Sequence, residues 1–215
     1  MKEMGILNRE KQKKLKELKN SIMKIVKANI KPYGFRTKDG FIWHVQNGFF
    51  FTMTLFISCP DDENCNFYIN VSVKPMYADN LFWDIMDMRP NKDEPLSLRA
   101  VGAFALSGVP VIDKHVKMEK FEISALEELV KDSLKTLSDL LQQVKDNEED
   151  WFYAEEKKHF RYYQDDALRL MMLLHFEKYT EAMDYIRNSD NDSGGFVNAG
   201  KSLYENVNRY CRQKS

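Results

Sequence analysis

Along residues 9 to 31, apolar side chains return at three- and four-residue intervals, at Leu15, Leu18, Ile22, Ile25, Val26 and Ile30, with lysines over much of the rest. That period belongs to an amphipathic helix, which Pro32 and Gly34 bring to an end. Glu10 and Glu17 interrupt the lysines Lys11, Lys13, Lys14 and Lys16, so this side reads as a solvated face. The period then changes to two. Asn47-Gly48 stands between the β-rich runs "FIWHVQ" and "FFFTMTLFIS". Such a pair predicts a type I′ hairpin, because both central residues need positive φ. The turn sets the register, with Gln46 opposite Phe49, His44 opposite Phe51 and Trp43 opposite Thr52. One face then carries Ile42, His44, Gln46, Phe49, Phe51, Met53, Leu55 and Ile57. The other carries Phe41, Trp43, Val45, Phe50, Thr52, Thr54, Phe56 and Ser58. A third strand, "NFYINVSVKP", turns Phe67, Ile69, Val71 and Val73 inward and Tyr68, Asn70, Ser72 and Lys74 outward, which completes an antiparallel meander.

Beyond the meander, "NLFWDIMDM" reads as a short helix or turn packed by Leu81, Phe82, Trp83 and Ile85. Residues 98 to 118, broken by Gly102, Gly108 and Pro110, read as one or two further strands. A helix opens at Ser124, with Glu127 three residues on as a capping box, and runs through Leu126, Leu129, Val130, Leu134, Leu137, Leu140, Leu141 and Val144. After "KDNEED" the chain becomes all-helical. Residues 151 to 188 predict two or three helices, among them an αα-hairpin that turns at Phe176 to Lys178, and a last helix covers about 197 to 212. The pattern gives an α+β fold with an antiparallel sheet of about four to five strands packed with helices, plus a C-terminal helical subdomain. The division expected is 1–146 for the sheet-bearing part and 147–215 for a helical tail packed on it.

Composition narrows the function classes. Hydrophobic residues make up 43% and charged residues 30% of the 215, as in a folded globular chain. The 32 basic and 33 acidic residues nearly cancel, so no global field draws the chain to nucleic acid or to an anionic membrane. No signal peptide and no apolar run long enough to span a membrane is read, and a cytoplasmic location is expected. Cys59, Cys65 and Cys211 then read as free thiols. The wide C-x5-C spacing does not suit zinc, and His44, His115, His159 and His175 form no metal-ligating pair, so neither metal nor cofactor is expected.

Gly195 to Ser202 spells G-x-x-x-x-G-K-S, the pattern of a phosphate-cradling P-loop. The context argues otherwise, because a helix and the polar loop "NSDNDSGG" precede it where a strand should deliver the turn. Asp190 and Asp192 would repel phosphate. A linker and helix start is expected, not a nucleotide site. The same loop opens like a calcium-binding one, yet Lys201 stands where the bidentate glutamate belongs.

The surface with chemical character is the second sheet face. Trp43, Phe50, Phe56, Tyr68, Asn70 and Lys74, with Thr52, Thr54 and Ser72, mix aromatics with small hydrogen-bonding groups as binding surfaces do. A helix covering the aromatic part is the plainer reading of the same residues. His44, beside Trp43, is a candidate base as well as a candidate structural histidine.

The run "IVKANIKPYGFRTKDGFIWHVQNGFFFTMTLFIS", with "NFYINVSVKP" and "LFWDIM", resembles a family of small bacterial domains of unknown function. In that family a helix ends in Gly-Phe and a strand meander follows. The resemblance spans residues 15 to 90 and implies helices on an antiparallel sheet, with no catalytic residues to carry over. Families of similar build include toxin-neutralising immunity proteins. The expected function is a binding module that engages a protein partner through the sheet face or the acidic 146 to 156 segment. The alternative is an enzyme or small-ligand binder using a cleft near His44, Trp43 and Tyr68.

Overall fold

The computed structural model describes residues 2–59, 64–102, 104–119, 122–143, 166–189 and 195–214. Helix α1 (Lys2–Asn29) ends in a 3-10 turn at Lys31–Tyr33 that closes on Gly34, whose φ of 69° is left-handed. Five strands follow: β1 (Arg36–Lys38), β2 (Phe41–Gln46), β3 (Phe49–Ser58), β4 (Asn64–Pro75) and β5 (Val109–Glu119). They pair antiparallel in chain order, with β1 and β5 at the edges. Asn47 and Gly48 both take positive φ, at 54° and 79°, and Gln46 faces Phe49, His44 faces Phe51 and Trp43 faces Thr52, in the expected register. A second tight turn, Asp39-Gly40 with φ of 49° and 90°, joins β1 to β2.

The inward face of the meander is dry. Ile42, Phe51, Met53, Phe67, Val71 and Val73 are fully buried there. Leu18, Ile22 and Val26 of α1, and Leu126, Val130, Leu134 and Leu137 of α4 (Ile123–Gln143), belong to the same core, and α1 packs on β3 and α4. The start of α4 differs from the expected capping box. Ser124 lies inside the helix with its hydroxyl donating to Glu122 at 3.4 Å, and Glu127 pairs instead with Lys131 one turn on at 2.6 Å. Gln46 Nε2 donates to the carbonyl of Leu141 at 2.7 Å, which ties the hairpin to the far end of that helix.

Where residues 98 to 118 allow one or two strands, one forms. Leu98–Val101 is a single helical turn, α3, and β5 begins at Val109. Side-chain bonds hold the segment before β5, not a ladder. A bulge follows, because Val71 faces Ile112 and Ser72 faces Pro110, leaving Val111 as the extra residue.

Helix α2 (Met76–Ile85) leaves β4 directly and packs against α5 (Asp166–His175) and α7 (Leu203–Lys214) of the tail. Helices α5 and α6 (Tyr179–Arg187) form the expected hairpin, with Glu177 in the turn at φ 57°. Leu170, Met171, Ala182, Leu203 and Val207 are as buried as the sheet residues, so one hydrophobic core runs through both parts of the chain. Asp166 accepts hydrogen bonds from Tyr185 and, at 2.8 Å, from Tyr204, which joins α5, α6 and α7. The acidic 146 to 156 segment lies outside the described residues.

The cysteines correct the expectation of three free thiols. Cys59 and Cys65 form a disulfide between the end of β3 and the start of β4, and Cys211 alone keeps its thiol. The antiparallel pairing of β3 and β4 brings the two together despite the intervening residues, so the strand register decides the chemistry of the C-x5-C spacing. Among the described residues, no helix is long and apolar enough to cross a membrane.

Candidate functional site

Strict alternation sends Lys74 to the outward face of β4, yet it is 2% exposed. The cover comes from residues 96 to 102 and 104 to 108, which fold back across the end of that face. Lys74 Nζ donates to Asp79 Oδ1 at 3.0 Å, to the carbonyl of Arg99 at 2.9 Å and to the carbonyl of Leu106. Asp79, fully buried on α2, also accepts from Arg99 Nη1 at 3.2 Å and from the Leu106 amide at 2.9 Å. Arg99, 6% exposed, donates to the Met76 carbonyl at 3.2 Å and to Asn80 Oδ1 at 2.7 Å, and its guanidinium lies 4.7 Å from the centre of the Trp83 ring. Trp83 Nε1 in turn donates to the Phe104 carbonyl at 2.7 Å. Charge-assisted bonds of this kind to backbone groups fix a chain segment that has no ladder of its own.

Gly108 permits the close approach. A Cβ there would stand 2.8 Å from the carbonyl carbon and oxygen of Val73, which no side chain tolerates. The segment therefore lies hard against β4 at one end and arches over the sheet before it.

Under the arch is a cleft of about 440 Å³. Its sheet side is Phe41, Thr52, Thr54, Asn70, Ser72 and Lys74, and its other side is Arg99 to Gly102 and Ala105 to Gly108, with Pro110. Registry explains the sheet side, since Thr52 faces Ser72 and Thr54 faces both Phe41 and Asn70 across the ladders. The Thr52 and Ser72 hydroxyls bond each other at 2.7 Å. Among the described residues, the lining includes Lys74 and Arg99 and no acidic residue.

Farther along the same face, the row Phe56, Tyr68, His115 lies open. Phe56 and Tyr68 have ring centres 5.6 Å apart, and Tyr68 stacks on His115 at 4.7 Å with planes 8° from parallel. His115 Nε2 and Asn66 Oδ1 are 2.9 Å apart, and Lys19 Nζ lies 5.5 Å from the Phe56 ring centre. Phe56 is 48% exposed.

The candidate residues thus divide into four settings. Asn70 and Lys74 line the cleft, and Phe56 and Tyr68 form the open row. Trp43 and Phe50 are buried, stacked on each other at 5.6 Å, with the Arg36 guanidinium 5.3 Å from the Trp43 ring. His44 points to the other face of the sheet, edge-on to Phe35 at 5.7 Å, and does not join Trp43 and Tyr68 in one cleft. Asp79 and Arg99 were not singled out from sequence. Asp79 alone carried a signal, as a lone acid one turn before Phe82 and Trp83 on the apolar stripe of α2.

The P-loop-like stretch folds as a small hairpin. β6 (Val197–Asn198) and β7 (Lys201–Ser202) flank Ala199-Gly200, whose φ of 48° and 76° make the turn. The last helix therefore begins at Leu203, after the hairpin, and not at residue 197. The Ser202 amide donates to Glu205 Oε2 at 2.7 Å and the Glu205 amide donates to Ser202 Oγ at 3.2 Å, a reciprocal cap. The Ser202 backbone bond, then its hydroxyl, holds the Glu205 carboxyl below its usual range. A carboxylate of the chain itself thus takes the place at the helix start where a P-loop would hold phosphate.

Comparisons with protein-family models, with curated proteins and with solved structures found no match.

Proposed function

We propose that the protein is a binding protein whose outer sheet face carries the site and whose cleft takes a small molecule. The observation that carries this reading is the cleft of about 440 Å³ between β3, β4 and the arch, whose lining mixes polar and apolar groups in about equal measure. Small-molecule sites have that size. The side chains of Thr54 and Asn70 make no hydrogen bond among the described residues, so both can serve a ligand. The test is a thermal-shift and ligand-observed NMR screen of a metabolite mixture against wild type and Thr54→Phe, which fills the cleft from the open strand. Compounds that bind wild type and not the variant support the reading. Binders that ignore the substitution remove the cleft from it.

A protein partner is the second reading, favoured by the exposure of Phe56 beside Tyr68 and His115. The analogy with toxin-neutralising proteins belongs here. Loss of a stoichiometric partner on Phe56→Ser, with folding unchanged, supports it.

The cytoplasmic setting expected from the sequence is opposed by Cys59–Cys65, because structural disulfides persist in oxidising compartments. Maleimide labelling of the chain in intact host cells counts the thiols, and one reactive cysteine after denaturation favours an oxidising setting.

A further inference from the structure

We infer that the ligand of the cleft is a neutral polyhydroxylated molecule, a sugar or cyclic polyol, an inference that rests on the small-molecule reading above. On β3 and β4, Phe51, Met53, Val71 and Val73 are buried in the core, so the alternating Thr52, Thr54, Asn70 and Ser72 project from the outer face into the cleft. Thr52 stands opposite Ser72 and Thr54 opposite Asn70, which makes a two-by-two array of uncharged hydrogen-bonding groups. Neighbours in such an array lie about 5 Å apart across the ladder and about 7 Å apart along it. The array calls for a partner that both donates and accepts. The Thr52 and Ser72 hydroxyls share one hydrogen bond, which leaves the accepting hydroxyl its own hydrogen and the donating one its lone pairs. Thr54 adds a second kind of hydroxyl and Asn70 a carboxamide, and neither side chain makes a hydrogen bond among the described residues. An apolar ligand would cut these groups off from water and leave them unpaired, which weakens binding. An anion would answer only the donors. The ring hydroxyls of a sugar answer donors and acceptors alike, and its C–H faces suit the apolar half of the lining, at Phe41, Val101 and Ala105. Lys74 does not alter this reading, because its ammonium has three hydrogens and three acceptors within the chain, on Asp79 and on the Arg99 and Leu106 carbonyls.

The experiment uses the full chain with methyl glucoside, methyl galactoside and myo-inositol, beside cyclohexanol as a ring of one hydroxyl and glucuronate as a charged sugar. Amide NMR shifts at Thr54, Asn70, Ser107 and Gly108 give the affinities. The expected result is saturable movement with at least one of the three polyols and about tenfold weaker binding of cyclohexanol. Thr54→Val and Asn70→Leu keep the side-chain shape and remove the hydrogen-bonding groups, so each should weaken the polyol by about tenfold and leave cyclohexanol little changed. Unfolding midpoints check that both variants keep the fold; should either lose it, the cyclohexanol comparison on wild type decides alone. Cyclohexanol binding as tightly as the polyols, or polyol binding untouched by both substitutions, would overturn the polyol and keep the small-molecule site. Glucuronate binding more tightly than methyl glucoside would overturn the neutral class. No movement with any polyol overturns the inference, and the metabolite screen then separates the two readings: cleft binders lost in Thr54→Phe keep the site, and an empty screen removes it as well.

Discussion

Lys74 of β4 and Asp79 of α2 meet at 3.0 Å in the interior, both almost wholly excluded from solvent. The pair and Arg99 hold the arch of residues 96 to 102 and 104 to 108, so the cluster positions the cleft as well as stabilising the fold. Asp79→Asn leaves two buried cations facing a neutral amide and should cost about 3–5 kcal/mol in urea unfolding. Lys74→Met leaves Asp79 paired with Arg99 and should cost clearly less. Equal losses would mean that the ammonium holds the arch mainly through its carbonyl bonds.

Removing the disulfide should act through the unfolded chain. Cys59 and Cys65 close a short loop, with a sequence separation of 6, for which the loop-entropy relation gives about 2 kcal/mol. The Cys59→Ser, Cys65→Ser double variant should lose about that much in chemical unfolding and keep its response to cleft probes. An unchanged midpoint would show that the cystine adds nothing to the folded state.

The tyrosines of the tail set an alkaline limit. Burial first, then the hydrogen bond to Asp166, pushes the Tyr185 phenol above its ordinary 10.0. Burial likewise raises Tyr204. A raised phenol keeps its proton in the fold while the unfolded chain gives its proton up near the ordinary value. The stability it contributes is therefore complete below about pH 10 and declines as pH rises through that point toward the folded value. Thermal unfolding followed from about pH 9 to 11 should fall less steeply for Tyr185→Phe than for wild type.

Gly108→Ala should loosen the arch. The added methyl meets backbone atoms of Val73, which cannot rotate aside, so a loss of about 1–3 kcal/mol is expected. Because Gly108 also lines the cleft, affinity for any cleft probe should drop in the same variant. Normal affinity with lowered stability would place the strain on β4 and not on the arch.

The meander was legible because two local rules agreed, the Asn47-Gly48 turn and strict alternation in β4. The same rules applied to Asp39-Gly40 would have found β1, but only three residues follow the turn's strand pattern there. Alternation also put Lys74 on the correct face and still misled about its environment. The residues that bury it, Arg99 and Leu106, arrive from a segment without periodicity, and their contacts are long-range side-chain bonds to α2 and β4. Trp43 and Phe50, two aromatics expected at a surface, lie inside, stacked on each other with Arg36 over one ring and Lys74 over the other. Asn70, Thr52, Thr54 and Ser72 stay half-buried because the cleft lies between them and the arch.

The two edge strands bear on how this chain meets its neighbours. β1 is three residues long with Arg36 and Lys38 exposed, and β5 begins with the bulge around Val111 and then carries exposed Asp113, Lys114, His115 and Lys117. Short length, irregularity and charge each make an edge a poor template for another strand. Among the described residues, the sheet is therefore guarded against lengthening by a foreign strand or a second copy, and a long uncovered face can stay in water without seeding aggregation.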